Sequence, residues 1–293
     1  MLIFHYFLLS FPMQTHIANY SNTITNITHV PDTSRLRIFV GILTEPQLHQ
    51  RRHLIRAAYT LQKRDLASVE VDVRFVFCNS ITDHQKVFLS LEIMKYNDII
   101  LIDCSNNKDG GRTMTYFSNL PSMFGEHTQP FDYVVKVEHD AYFQLNNLAK
   151  FLTDKPRDDL YYGMEIKCTG EIAASCGVNN TFMAGFGVVV SWDLVEWIAK
   201  SGFVQDSEVG MEDVMLGKWL NMANKGKNRY NGLPNQFYDY KGDLPEDYYR
   251  HEFVPETVAV HKLEEDLHWA RILSYFNVTH GLRPSKFYAQ VLR

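Results

Sequence analysis

The chain has 293 residues, 45% of them hydrophobic and 13% aromatic, which is ample for a packed core of one large domain or two small ones. A formal net charge of -5 and an isoelectric point near 6.2 give no basic excess, so a nucleic-acid partner held through its phosphates is excluded.

The first residues, MLIFHYFLLSFPM, form an apolar run that stops near Pro12. It is shorter than the roughly 17 to 25 residues of a membrane-spanning helix and lacks a basic leading segment. It reads as a signal peptide without its basic head, a signal anchor that begins upstream, or an apolar N-terminal strand. From Thr15 to Ser34 the chain is rich in Asn, Thr and Ser without apolar periodicity, which predicts a flexible stem there, so that 1–34 comprise the apolar segment and the stem and 35–293 a folded domain. Asn-x-Ser/Thr sequons stand at Asn19, Asn26, Asn179 and Asn277, and beside the apolar N-terminus they suggest the secretory pathway. The four cysteines, Cys78, Cys104, Cys168 and Cys176, permit lumenal disulfides but show no zinc or redox spacing. Cys168 and Cys176 frame a short loop and are the favoured bridge, whereas Cys78 and Cys104 are expected as reduced core residues at strand ends.

Within the domain, LRIFVGIL, VDVRFVFC and DIILID are short runs rich in Val, Ile and Phe, separated by segments of helical length such as QLHQRRHLIRAAYTLQKRDLA. That alternation predicts a parallel sheet with crossover helices, an α/β domain. FDYVVKVEHD is the fourth such strand, followed by a helix from LNNLAKFL. YYGMEI and TFMAGFGVVVS read as strands, WDLVEWIAKSG and GMEDVMLGKWLNMA as helices, TVAVH as a strand ending at His261, and EEDLHWARILSYF as a helix. The chain contains no internal repeat.

The chemistry-bearing residues sit at element ends. In a strand, Glu138 and Asp140 project to one side while His139 points away, and ligands of open parallel sheets bind beyond the carboxyl ends of strands. Two carboxylates there can hold Mg²⁺ or Mn²⁺, whose other positions water and phosphate oxygens fill. A strand running into a loop also ends in charged residues without any ligand, so both readings stay open. Asp213, beside Glu212 at the head of a helix, is either a cap favoured by the helix dipole or a general base facing a cleft. His261 is a surface or hydrogen-bonded histidine, or the imidazole of a mixed oxygen and nitrogen site that suits Mn²⁺. Arg52 and Arg56, four apart on one helical face beside Arg51, meet either phosphates or surface acids. No G-x-G-x-x-G follows the first strand, which excludes a dinucleotide-dependent oxidoreductase.

The order of these pieces resembles glycosyltransferase family 31, the inverting β-1,3-galactosyltransferase and N-acetylglucosaminyltransferase-like enzymes of the Golgi. RRHLIRAAY, EIMKYNDIILIDC, KVEHDAYFQLNNL, GFGVVVSWDL and EDVMLG follow one another as that family's motifs do, from about Arg35 to His261. The resemblance implies a GT-A fold, a Rossmann-like, mostly parallel sheet flanked by helices, and a single displacement at the anomeric carbon of a UDP-sugar held through Mn²⁺ or Mg²⁺. It assigns Asp140 and His261 to the metal, Glu138 to metal and ribose, and Asp213 to the base, with Glu212 next. Arg52, Arg56, His139, Gly185 and Glu212 join Glu138 as candidate substrate contacts. The implied acceptor is a glycan or glycoprotein. The implied location is the Golgi or secretory lumen, with type II anchoring through the N-terminus or secretion. The family's three aspartates are Glu-His-Asp here, and Val188 stands where a Tyr is usual. Those departures keep a second reading in play, a catalytically silent glycan-binding or chaperone-like relative.

Overall fold

The computed structural model describes residues 35–63, 66, 68–78, 81–104, 111–125, 129–170, 173–176, 180–205 and 210–281. The segment expected as a stem, with Asn19 and Asn26, lies outside them, as does Asn179.

The first half alternates strand and helix: β1 (Leu36–Leu43), α1 (His49–Lys63), β2 (Val69–Cys78), α2 (Asp83–Tyr96), β3 (Ile99–Ile102), α3 (Arg112–Phe124) and β4 (Tyr133–Glu138). Next come β5 (Tyr142–Phe143), α4 (Leu145–Thr153), β6 (Leu160–Lys167), α5 (Ala173–Cys176), β7 (Thr181–Ser191), α6 (Trp192–Lys200), α7 (Gly202–Gln205) and α8 (Glu212–Met222). The chain then runs through β8 (Asn228–Asn231), β9 (Phe237–Tyr240), β10 (Arg250–His251), β11 (Ala259–His261) and α9 (Asp266–Tyr275).

One sheet of seven strands has the order β3-β2-β1-β4-β7-β6-β8, with β7 antiparallel to both neighbours and every other pairing parallel. This mostly parallel sheet, covered by helices on both faces, is the GT-A arrangement that the resemblance implied. Its central strands read as near-continuous apolar runs because neither face meets water. Alternation divides their side chains. Ile38, Val40, Ile42, Tyr133, Val135 and Val137 join the core built with α1, α4 and α9; Phe39, Leu43 and Val134 join the core built with α3, α6 and α8. A Cβ on Gly41 would stand 2.2 Å from the Tyr116 hydroxyl, so glycine in β1 is what lets α3 lie this close. On α2, Thr82 and Gln85 form a reciprocal capping box, an end stabilised by about 1 kcal/mol, and Asn97 closes the helix in the left-handed region.

A second sheet, β10-β9-β11-β5, has β11 parallel to β9 and antiparallel to β5. All its members have two to four residues, too short for a readable period, and the strand expected over TVAVH is confined to Ala259–His261.

The cysteines require one correction. Cys78 and Cys104 are bridged, not reduced, with Cα atoms 4.9 Å apart. The β2–β3 register sets Cys78 opposite Ile102, so Cys104, two residues further on, comes back to the end of β2. Cys168 and Cys176 are also bridged and tie the end of β6 to α5. Asn277 is exposed in the turn after α9. No helix among the described residues is long and apolar enough to cross a membrane.

Candidate active site

Strand β4 ends at Glu138, and His139 and Asp140 form a turn. Lys136 and Glu138 share the face packed by α3 and α8, and both are buried, at 2% and 7% exposure. Arg112 Nη2 donates to both Glu138 oxygens at 3.0 Å, and Lys136 Nζ donates to Oε1 at 2.6 Å. Glu212 accepts from the Thr113 hydroxyl at 2.7 Å and lies 3.5 Å from both Arg112 Nε and Lys136 Nζ. Two buried cations thus face two buried carboxylates. The paired projection expected of Glu138 and Asp140 is corrected: the strand stops at Glu138, so its alternation does not reach Asp140. The Glu138 carboxylate serves as counter-ion to Arg112 and Lys136 rather than standing open for a metal. Glu212, expected as a substrate contact or reserve base, is engaged in the same cluster.

Asp140 instead meets His261. Its Oδ2 lies 3.3 Å from His261 Nε2, while His261 Nδ1 lies 2.8 Å from Asp239 Oδ1. His261 and Asp239 are register partners on β11 and β9, which fixes that second contact, and the imidazole stacks on Phe186 with ring centroids 4.6 Å apart. Burial works against ionisation of both partners, but their mutual hydrogen bond and charge outweigh it. The Asp140 carboxyl is held down at about 2, and His261 is raised above its ordinary value by Asp140 and Asp239 together. Asp140 and His261 set one oxygen and one nitrogen donor side by side, with Asp239 orienting the imidazole; no group of three or more His, Cys, Asp or Glu side chains placed to hold a metal ion occurs among the described residues. Asp239 carried no motif. Only its place opposite His261 in a sheet of very short strands gives it away.

Asp213 stands in the first turn of α8, where the helix dipole favours a carboxylate. Its Oδ2 accepts from Gly185 N at 3.1 Å and its Oδ1 from Val214 N at 2.9 Å. A Cβ on Gly185 would lie 3.3 Å from Asp213 Cβ, so glycine on β7 permits this approach. Asp213, Gly185, Phe186, Asp239, His261 and Lys262 line one cavity of about 420 Å³, together with Lys136, Glu138 and Glu212. His139 is half-buried and is not among the lining residues.

Arg52 and Arg56 are the second correction. Arg52, 1% exposed, donates to Glu92 at 2.6 and 3.0 Å, and Arg56 donates to Asp98 at 2.7 Å and to Glu92 at 3.1 Å. Buried Glu92 on α2 and half-buried Asp98 just after it take up these guanidinium groups, so the pair fastens α1 to α2 and does not line the cavity. Arg51 points the other way and donates to the carbonyls of Leu263 and Glu264, both at 2.6 Å, just past His261. A second cavity of about 360 Å³ borders Arg56, Arg74, Asp72 and Asp98, whose charges are paired with one another.

An α/β domain with a base candidate and a carboxylate–imidazole pair bordering one cleft beyond its strands suits group transfer. Residues 50–226 match the family model described as Galactosyltransferase, and the chain belongs to that family; it is a glycosyltransferase. Beta-1,3-galactosyltransferase pvg3 of Schizosaccharomyces pombe (strain 972 / ATCC 24843) is 21% identical over 290 aligned positions, covering 82% of this chain and 74% of that protein. Among solved structures, galactosyltransferase LgtC in complex with donor and acceptor sugar analogs is 12% identical, covering 85% of this chain and 98% of that one, with a TM-score of 0.47. Mouse xyloside xylosyltransferase 1 in its apo form is 7% identical, covering 78% and 97%, with a TM-score of 0.44. At those TM-scores neither structure bears on the site.

Proposed function

We propose that this hexosyltransferase is metal-dependent and inverting, and that it moves galactose or N-acetylglucosamine from a UDP-sugar to a glycan hydroxyl, forming a β-1,3 linkage. The observation that carries the reading is that Asp213 and His261, the latter bonded to Asp140, border the same cavity. Asp140 and His261 would hold Mn²⁺ or Mg²⁺, with Asp239 orienting the imidazole. A cation bound there supplies charge neutralisation for the departing diphosphate. Asp213, held by the Gly185 amide, takes the acceptor hydroxyl proton as the acceptor oxygen bonds to the anomeric carbon and the bond from that carbon to the diphosphate oxygen breaks. The buried cluster of Arg112, Lys136, Glu138 and Glu212 sets the floor of the cleft and links α3, β4 and α8.

The same reading makes 1–34 an apolar segment and stem carrying the domain 35–293 in the secretory pathway, anchored as a type II protein in the Golgi or secreted. The two disulfides are in keeping with an oxidising lumen, and the exposed Asn277 is open to glycosylation.

The test is UDP release from UDP-galactose and UDP-N-acetylglucosamine with Mn²⁺ and with chelator. Release with one sugar only when metal is present is expected. Asp213→Asn should retain metal-dependent UDP binding and lose transfer by about 10²- to 10⁴-fold. Neither release nor metal-dependent UDP binding by the wild type would hand the case to the silent-relative reading, which the Glu-His-Asp triplet keeps open.

A further inference from the structure

The lining of the cavity contains two lysines, and only one of them is committed. Lys136 Nζ is held by Glu138 at 2.6 Å and by the Gly185 carbonyl at 2.7 Å. With Arg112 it balances Glu138 and Glu212, so that cluster presents no net charge to the cleft. The remaining carboxylates around the cavity, Asp213 and Asp239, with Asp140 behind His261, repel an anionic ligand. Lys262 is exposed on the cavity wall, and its ammonium makes no hydrogen bond or ion pair among the described residues.

Its backbone is as telling as its charge. Lys262 has φ +66°, in the left-handed region that suits glycine and disfavours a lysine. The next residues hold it there from three directions. Leu263 N donates to the Asp140 carbonyl at 2.9 Å, the Trp269 indole donates to Leu263 O at 2.8 Å, and Arg51 grips the Leu263 and Glu264 carbonyls, each at 2.6 Å. A residue kept in a sparsely populated conformation by its surroundings, beside a binding cleft, is a mark of function.

We propose that Lys262 holds the β-phosphate of the donor's diphosphate, supplying the cleft with a protein cation next to the Asp140–His261 pair. This rests on the UDP-sugar reading above. The ammonium is a compact charge on a flexible stem, able to follow the phosphate from the intact donor to the departed UDP. In the transfer step it forms and breaks no covalent bond; it stabilises the negative charge that the diphosphate oxygen acquires as the anomeric bond opens.

The experiment is calorimetric titration of the full chain with UDP and with UMP at saturating Mn²⁺, in parallel with thermal unfolding. Wild type is expected to prefer UDP. Lys262→Met should weaken UDP by roughly tenfold or more while leaving UMP within about twofold, as loss of a charge-assisted phosphate contact does. Lys262→Arg should recover most of the preference. Lys262→Gly should lose it as fully as Lys262→Met while unfolding at an equal or higher temperature, which separates ligand contact from structural support. An unchanged UDP to UMP ratio in Lys262→Met, or a wild type that binds both equally, overturns the assignment and leaves the donor reading standing. A wild type that binds neither overturns both.

Discussion

The buried cluster predicts a sharp effect of Glu138→Gln. The Glu138 side chain accepts three hydrogen bonds, two from Arg112 and one from Lys136, from a position 7% exposed. The glutamine amide supplies one oxygen where two stood and turns a nitrogen donor toward donors. It also removes one of two negative charges, leaving Arg112 and Lys136 to share Glu212, 3.5 Å from each. Breaking a buried pair in this way costs about 3–5 kcal/mol, which in a domain of this size lowers Tm by roughly 6–20 °C. Urea unfolding at pH 7 measures the loss, and Mn²⁺ titration of the folded variant measures whether the metal site has changed. Stability should fall as stated while Mn²⁺ affinity stays within about twofold. Adding Lys136→Met restores neutrality, so the double variant should lose less than the sum of the two single variants. Full stability combined with lost Mn²⁺ binding in Glu138→Gln would refute the counter-ion role and return Glu138 to the metal.

Three further outcomes follow from the same geometry. Burial resists ionisation of Glu92, but Arg52 and Arg56 overcome it and hold its carboxyl below the ordinary value. Its stabilisation is therefore present above the unfolded pKa and lost as pH falls through the lower folded value. The stability gap between wild type and Glu92→Gln should be widest near neutrality and shrink below about pH 4.5, and a gap constant with pH would contradict the ion-pair account. Asp239→Asn leaves the imidazole poorly oriented and should weaken Mn²⁺ binding by roughly 10- to 100-fold with little change in Tm, as read by metal titration. Replacing Cys78 and Cys104 together by Ser removes a bridge across 26 residues and should lower unfolding stability by about 2–4 kcal/mol, measured in urea against the oxidised wild type.

Strands buried on both faces announce themselves in sequence, and β1 and β7 have the limits that LRIFVGIL and TFMAGFGVVVS suggest. The places of Asp213 and His261 on the cavity were legible because one heads a helix and the other ends an apolar strand, as the sequence indicates. Arg112 was not, since nothing local says that a residue at the head of α3 will meet a strand end 26 positions later. The same long-range pairing hid the fate of Arg52 and Arg56: spacing on a helix shows which side chains share a face, and the element packed against that face decides what they touch. Asp239 and Lys262 were missed for the opposite reason. Their roles arise from two- to four-residue strands and one left-handed residue, features too small to leave a period in the sequence.

The grip of Arg51 on Leu263 and Glu264 joins positions 212 and 213 residues apart. Such a contact has a place in time as well as in space. The ribosome delivers α1 early and this loop near the end, after every strand of the large sheet has been made. Closing so long a stretch of chain is slow, so the segment carrying His261 is expected to dock late, after the large sheet has formed. During refolding, sheet content should therefore recover before metal affinity, and in the cell a chain stalled short of Leu263 would hold the large sheet but lack both the loop that completes the cleft and the Trp269 and Ile272 side chains that α9 adds to the first core.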